Sequence, residues 1–345
     1  MKFTLVSTIF NEANRLHLTI EDLNNQSVKP DEIIITDAGS TDGTIDIVKK
    51  WQQKASYPIK LLIKPSCNVA EGRNLAIRSS VHEIIVSTDF GCRFHKDWFK
   101  SLTDPFKDQE TMVVCGKYSV IEKDQITLPA KAAFIISNGY HVDVSSKNFI
   151  PSSRSIAYKK EVFEEIGGYC EWLTLAADDS VFGMELIAKK FKFTRVDLPY
   201  VFWGRHSTFK GFNKEAFRYG LGEGEARIGR IHFIKTFLQL SFRLGALVSF
   251  LAFLFLYFFK ENLVLISAVF LTLSLLGFRQ YLLHIVNPWL KFKSSKYSFE
   301  VFLAAIYLFE ANQIHFLKGY IKGYSFSNSR IKAEASSLKS RLKYN

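Results

Sequence analysis

Residues 1–90 alternate between short apolar runs and longer stretches in which apolar residues recur at helical spacing. The apolar runs are continuous rather than two-faced, which is typical of strands buried on both sides. They are FTLVST, EIIIT, IKLLIK and EIIVST, and the helical stretches are the one from Glu12 to Asn24, TDGTIDIVKKWQQK and NVAEGRNLAIRSS. This alternation predicts an α/β fold with a mostly parallel sheet and helices on both faces. The carboxyl ends of its strands are the expected ligand site.

Residues 91–235 mix the two patterns. TMVVCGKYSVI and FTRVDLPYVFW favour strands, and SRSIAYKKEVFEEIGGY favours a strand, a helix and a glycine stop. DDSVFGMELIAKKF favours a helix with an acidic first turn. The last part, FKGFNKEAFRYGLGEGEARIGRIHF, interleaves aromatic and basic residues, as segments at a membrane interface do.

Two uncharged apolar stretches lie within residues 237–283, and only Lys260, Glu261 and Asn262 separate them. Their lengths predict a transmembrane helical hairpin, and a buried hairpin of a soluble protein is the alternative. We expect Arg243 and Arg279 to reach the same membrane surface. Residues 284–345 are expected to form an amphipathic helix and a basic tail. Within them, 299–318 favours a helix lying on the membrane over a third span.

The formal charge of +12 is concentrated near the C-terminus, where residues 236–345 carry 13 Lys or Arg and four acids. A basic, Phe-rich region favours an anionic lipid surface as partner over nucleic acid, because no RNA-binding signature accompanies the aromatic residues. Lys291, Lys293 and Lys296 follow the hairpin, so the positive-inside rule predicts an inner or plasma membrane protein whose N-terminal domain is cytoplasmic. Four widely spaced cysteines argue against disulfides and a zinc site.

Polar residues cluster at three predicted strand ends. Thr8, Asn11 and Glu12 follow the first strand, and Asp37, Gly39 and Ser40 follow the second. Asp89, in TDFGC, follows the third of these strand ends. Taken singly, each motif is also compatible with a helix cap or an ordinary turn.

Together, TIFNEA, TDAGSTDGT and AEGRNLAI resemble the donor-site signature of the family 2 glycosyltransferases, inverting enzymes with the Rossmann-like GT-A fold. The resemblance implies a GT-A domain over residues 1–230, with a nucleotide-sugar half (1–110) and an acceptor half with the interfacial segment (111–230). It implies donor contacts from the residues named at the first two strand ends, from Asp89, and from Arg73 and Asn74. An arginine fork suits diphosphate oxygens.

TDFGC falls where this family places an Asp-x-Asp metal motif, which implies that Asp89 holds Mg²⁺ or Mn²⁺. Gly91 replaces the second Asp, an arrangement similar to the Asp-Ala-Gly-Cys motif of membrane-linked enzymes of exopolysaccharide assembly. A hard cation prefers several oxygen ligands, so the shell needs diphosphate, water or another side chain. His206 is the candidate for that side chain. The alternative is that His206 is a basic residue at the membrane interface.

The acidic pair Asp178-Asp179 follows a Gly-Gly turn, as does the pair in the family that contains the catalytic base. The resemblance implies that Asp179 is the base and Asp178 its neighbour, and helix capping is the alternative. Arg205 and His206 are expected near the acceptor or a phosphate. The Gln-x-x-Arg-Trp motif of processive synthases is absent, which favours transfer of one sugar.

The resulting hypothesis is a membrane-anchored inverting glycosyltransferase. It would use a nucleotide-diphosphate sugar and a lipid-linked saccharide or polyprenyl phosphate acceptor, and assembly into an oligomer stays open. A catalytically weak membrane scaffold of a glycan-assembly complex and a processive polysaccharide synthase are the alternatives.

Overall fold

A computed structural model of the protein describes residues 1–140, 142–147, 149–259, 264–293 and 296–343. These residues form two compact units. The sheet unit comprises Met1–Ile121, His141–Arg205 and Ser327–Asn345, and the helical unit comprises Glu122–Tyr140 and His206–Phe326. The domain boundaries expected from the sequence, at residues 230 and 283, stay a prediction.

The sheet unit contains all eight strands that the structure describes. They are β1 (Phe3–Ile9), β2 (Glu32–Asp37), β3 (Ile59–Ile63), β4 (Ile84–Ser87), β5 (Cys92–Phe94), β6 (Val113–Ser119), β7 (Ile156–Lys159) and β8 (Phe193–Trp203). Its helices are α1 (Ala13–Asn24), α2 (Thr44–Lys54), α3 (Val69–Arg78), α4 (Trp98–Thr103), α6 (Lys160–Ile166), α7 (Asp178–Ala188) and α13 (Ser329–Lys343). The helical unit holds α5 (Leu128–Ile136), α8 (Phe209–Ala226), α9 (Arg230–Phe259), α10 (Val264–Tyr281), α11 (Asn287–Phe292) and α12 (Phe299–Phe326).

The eight strands form one sheet in the order β3-β2-β1-β4-β7-β6-β8-β5. The first four are parallel, as the sequence pattern predicts, whereas β7 runs antiparallel to both β4 and β6. Successive residues of the central strands pack into different cores, because Leu5 contributes to the core on one face and Val6 to the core on the other. The predicted α/β fold is confirmed, and the sheet is mixed in its second half.

Helices α8 and α12 approach each other through four glycines in the helical unit. A Cβ on Gly220 would stand 2.0 Å from the carbonyl oxygen of Phe316, and one on Gly319 would stand 2.1 Å from that of Phe217. Gly224 and Gly323 make equivalent contacts one turn further on. Both helices therefore carry a Gly-x-x-x-Gly pair, which lets the two backbones touch without intervening side chains.

Two helical segments of the described residues are long and apolar enough to cross a membrane, Arg230–Phe255 and Ala268–Phe292. In their most apolar stretches only 11% and 12% of residues are buried, unlike the core helices of a soluble protein. The predicted turn at Lys260, Glu261 and Asn262 lies outside the described residues.

Arg243 corrects one expectation from the sequence. Its side chain is buried within the helical unit rather than extended to a membrane surface. The guanidinium donates to both oxygens of Glu310 on α12, at 2.8 and 3.0 Å, and to Gln313 and Gln280. A buried arginine is stable there because its charge is paired and its donors are satisfied.

The C-terminal region is helical and belongs to both units. Helix α12 includes the predicted amphipathic segment 299–318 and buries one face against α8. The basic tail forms α13 in the sheet unit, where Ile331, Ala335 and Leu338 are buried and Arg341 donates to Glu185 of α7 at 2.7 Å.

Candidate active site

Three strand ends meet at one edge of the sheet unit. Ile9 at the end of β1 pairs with Asp37 at the end of β2, and the amide of Thr88, just after β4, donates to the carbonyl of Val6 in β1. Parallel strands place their carboxyl ends together, so the motifs around Thr8, Asp37 and Asp89 share this edge.

Asp37 shapes the turn after β2. Its Oδ1 accepts hydrogen bonds from the amides of Gly39 and Ser40 at 2.8 and 2.7 Å. Gly39 has a φ of +93°, in the left-handed region that favours glycine, and a Cβ there would meet Pro65 at 3.3 Å. The other carboxylate oxygen of Asp37 is buried and has no hydrogen-bond partner within the described residues. A buried acceptor in this state is costly unless a ligand donates to it.

The turns after β1 and β2 hold each other in place. The amide of Asn11 donates to Ser40 Oγ at 2.8 Å, and Asn11 Oδ1 accepts from the amide of Thr41 at 2.9 Å. The amide of Glu12 donates to Thr44 Oγ1 at 2.9 Å. Asn11 and Ser40 therefore stabilise the two turns, and their contact with a nucleotide-sugar donor stays a prediction.

Arg73 joins two acidic motifs that are far apart in the sequence. Its guanidinium is 2% exposed, with NH1 2.6 Å from Asp178 Oδ2 and NH2 2.9 Å from Asp89 Oδ1. Burial alone would lower the pKa of Arg73, but the two carboxylates raise it above its usual value. The arginine is therefore charged and holds α7 and the end of β4 to α3.

The acidic pair lies in the first turn of α7. The N-cap is Ala177, whose side chain makes no cap, and the first-turn position of both acids also suits the positive end of the helix dipole. Burial raises the pKa of Asp178 to about 6, and Asp179 and Asp89 add to the shift while Arg73 opposes it. The Asp178 side chain is 13% exposed and that of Asp179 is 29% exposed. Asp179 is thus the more accessible member.

Asn74 follows Arg73 in the sequence, and its side chain makes hydrogen bonds to other residues of the protein. Its Nδ2 donates to the carbonyl of Tyr169 at 2.9 Å and to Glu171 Oε1 at 2.8 Å, and its Oδ1 accepts from the amide of Tyr169 at 2.9 Å. The side chain is buried. Asn74 therefore anchors the segment after the Gly-Gly turn to α3, and its predicted donor contact stays untested.

Arg154 is a site residue that sequence reasoning missed. It precedes β7, and its carbonyl accepts from Thr88 Oγ1 at 2.8 Å. Because β7 is antiparallel to β4, the residues before β7 lie beside those that follow β4. Arg154 Nε is 3.6 Å from Asp89 Oδ2, and its NH1 is 3.9 Å from Asp179 Oδ2. An isolated arginine in PSSRS carries no local signal of this position.

The sequence profile of glycosyl transferase family 2 matches residues 4–167, which include all three strand ends, Arg73 and Arg154. Residues 4–167 therefore form a glycosyl transferase family 2 domain. The O-antigen chain rhamnosyltransferase RfbN of Salmonella typhimurium is 25% identical over 202 residues, covering 56% of this chain and 63% of RfbN. The poly(ribitol-phosphate) beta-N-acetylglucosaminyltransferase TarP of Staphylococcus aureus is 28% identical over 191 residues, covering 54% and 57%.

The chain spans less than two thirds of the length of these curated relatives. Among solved structures, the mannosyltransferase PcManGT from Pyrobaculum calidifontis, in complex with GDP-Man and Mn²⁺, superposes with a TM-score of 0.55 at 15% identity. That match covers 95% of this chain and 88% of PcManGT and supports the GT-A fold.

A divalent ion at this sheet edge would find its first oxygen ligand in Asp89. The Asp89 carboxylate is 36% exposed, and Gly91 leaves space where a Cβ would meet only Glu12 Oε1, at 3.8 Å. Burial raises the pKa of Glu12, and the charges of Asp42 and Asp89 add to the shift. No group of three His, Cys, Asp or Glu in the described part of the chain could hold a metal. The residues fit an ion that takes one or two protein carboxylates and completes its shell from a diphosphate and water.

Arg205 and His206 lie in different units. In the sheet unit, the Arg205 guanidinium is 3.7 Å from the centre of the Trp203 ring. In the helical unit, His206 Nε2 is 3.9 Å from Glu215 Oε1 and its ring packs against Phe212. Their roles toward phosphate, acceptor or metal stay predictions.

Proposed function

We propose that this protein is a membrane-anchored inverting glycosyltransferase that moves one sugar from a nucleotide-diphosphate donor to a lipid-linked acceptor. One observation carries the proposal. An accessible carboxylate, Asp179, lies at the same sheet edge as Asp89, and the guanidinium of Arg154 lies between the two. Such an arrangement offers a proton acceptor beside a site for a leaving diphosphate.

The turn after β2 would bind the nucleoside. Asp37 Oδ2 has no hydrogen-bond partner in the described structure, so it can accept from an N–H of a base or from a ribose hydroxyl. Thr8 and Glu12 flank the same edge. A ligand that donates to Asp37 would remove the cost of its unpaired oxygen, which supports nucleotide binding at this turn.

The charge of the ion-paired cluster supports a metal. Asp89, Asp178 and Asp179 bring three negative charges, and Arg73 and Arg154 bring two positive ones. A diphosphate would therefore enter a cluster that already has a net negative charge, unless a divalent ion accompanies it. Mg²⁺ or Mn²⁺, when bound, would stabilise the charge of the leaving diphosphate. Asp89 would hold it, with Glu12 near the position of the missing second Asp.

Asp179 would act as the base. It accepts a hydrogen bond from Ser152 Oγ at 3.2 Å, which orients the carboxylate, whereas Asp178 is held by Arg73. The acceptor oxygen forms a bond to the anomeric carbon while the bond from that carbon to the diphosphate oxygen breaks. The electron pair leaves with the nucleoside diphosphate, and the hydroxyl proton moves to Asp179.

The acceptor is proposed to be a lipid-linked saccharide or a polyprenyl phosphate. Two apolar helices of the described chain are long enough to hold the enzyme at a membrane, and basic residues follow the second. By their names, the relatives RfbN and TarP act on O-antigen chains and on poly(ribitol-phosphate). The catalytic site would face the cytoplasm, where nucleotide-sugars are made.

The test is a screen of nucleotide-sugars with the purified full chain in lipid nanodiscs that contain a lipid extract with polyprenyl-linked saccharides. We expect one donor to bind in the presence of Mn²⁺ and to label a lipid with a single sugar. Donor binding without transfer to any lipid fraction would favour the membrane scaffold instead. Products with many added sugars would favour a processive synthase.

A further inference from the structure

Arg154 is held by two aromatic rings on one side and by a hydroxyl group. Its guanidinium carbon lies 4.2 Å from the centre of the Trp203 ring and 5.5 Å from that of Tyr118. Its NH1 lies 3.2 Å from Ser152 Oγ. Cation–π contacts and this hydrogen bond keep the group beside the site while leaving it able to turn its N–H groups toward a new acceptor.

Only weak, long ion pairs join Arg154 to the site carboxylates. The distances of 3.6 Å to Asp89 and 3.9 Å to Asp179 are too long for hydrogen bonds, whereas Arg73 contacts its carboxylates at 2.6 and 2.9 Å. Arg73 is therefore committed to holding α7 and β4 together. The two carboxylate contacts of Arg154 are longer than those of Arg73, so an entering anion can replace them at small cost.

The position of Arg154 also suits the negative charge that would develop on the leaving diphosphate. It lies between Asp89, next to which the diphosphate is proposed to bind, and Asp179, the proposed base. A guanidinium that contacted Asp179 strongly would hinder proton uptake by that carboxylate. Moving toward the diphosphate would both stabilise the leaving group and free Asp179.

We propose that Arg154 is the diphosphate-binding arginine of this site, and that donor binding draws its guanidinium from Asp179 to the phosphate oxygens. This inference rests on the proposed function. It assigns to Arg154 a contact with phosphate only, so it predicts that the residue contributes to the binding of a nucleoside diphosphate and not to that of the nucleoside.

The experiment compares Arg154→Met and Arg154→Lys with wild type and with Arg78→Met. Arg78 is the matched control, because it is exposed and pairs only with Glu171 at 3.2 Å among its described ion pairs. UDP, dTDP and GDP are titrated into each full-length protein with Mn²⁺, and the best of them is then compared with its nucleoside by competition. Thermal unfolding midpoints show whether each variant is folded.

We expect Arg154→Met to weaken diphosphate binding by about 10- to 150-fold, the range for a charge-assisted hydrogen bond, and to leave nucleoside binding unchanged. Arg154→Lys should lose less, because it keeps the charge without the fork. Equal weakening of diphosphate and nucleoside, or no change in either, would overturn the assignment of Arg154. If wild type binds none of the three diphosphates, the proposed function itself fails.

Discussion

Substitution of Gly319 by alanine tests the close contact of α8 and α12. A Cβ at this position would stand 2.1 Å from the carbonyl oxygen of Phe217 and 2.9 Å from the amide nitrogen of Leu221. Both are backbone atoms, so no side-chain rotation relieves the contact. A C···O contact needs about 3.3 Å, and the helices would have to separate by about 1 Å.

The expected cost follows from that displacement. Overpacking of a tight interface costs about 1–3 kcal/mol, and separation here also weakens the three remaining glycine contacts, so we expect about 3 kcal/mol. Alanine is favoured over glycine in a helix by about 1 kcal/mol, which offsets only part of the loss. The net loss is then about 2 kcal/mol, and at roughly 2–4 °C for each kcal/mol the unfolding midpoint should fall by roughly 4–8 °C.

Gly245→Ala is the matched control, because a Cβ on Gly245 in α9 meets nothing within 4 Å. Both variants would be purified in the same detergent and unfolded by heating, with circular dichroism at 222 nm as the readout. The control should unfold at or slightly above the wild-type temperature. An unchanged midpoint for Gly319→Ala would refute the glycine contact.

Three further substitutions test other parts of the account. Arg73→Met should destabilise the sheet unit by about 3–5 kcal/mol in denaturant unfolding, because it leaves two carboxylates without their buried partner; a cost under about 1 kcal/mol would contradict this. Asp178 has a pKa raised to about 6, so the native state retains its proton between about pH 4 and pH 6 while the unfolded chain releases it, and stability falls as pH rises through this window. Asp178→Asn lacks this proton, so the unfolding midpoint of wild type should fall relative to that of Asp178→Asn as the pH rises from about 4 to about 6. Midpoints of the two proteins that change in parallel with pH would count against the raised pKa of Asp178. Glu310→Gln should lower the midpoint in detergent because Arg243 loses its charged partner, whereas Glu300→Gln in the exposed first turn of α12 should not; equal effects would argue against the buried pair.

The meeting of the three strand ends could be predicted from the sequence because it depends on local rules. Parallel strands end at one edge, so Thr8, Asp37 and Asp89 could be grouped from their positions after three apolar runs. Arg154 escaped the same reasoning because its place depends on the antiparallel pairing of β7 with β4, which no local pattern indicates.

The helical unit shows the same limit. Burial of Arg243 requires Glu310, 67 residues further along the chain, and without that partner an arginine beside an apolar stretch is expected to reach for water. Gly220 and Gly319 each occur in a Gly-x-x-x-Gly pair visible in the sequence. Their mutual contact could not be predicted, because it depends on which helices pack together.

The rate of sugar transfer by the Asp179→Asn variant is the most direct test of the central claim that Asp179 is the catalytic base. Single-turnover sugar transfer would be measured beside equilibrium donor binding, with Asp197→Asn as control, since Asp197 is 77% exposed and pairs with Lys117 at 3.3 Å on the surface. We predict that Asp179→Asn slows transfer by about 10²- to 10⁴-fold, while donor affinity stays within about twofold of wild type. Transfer at the wild-type rate by Asp179→Asn, with normal donor affinity, would contradict the account.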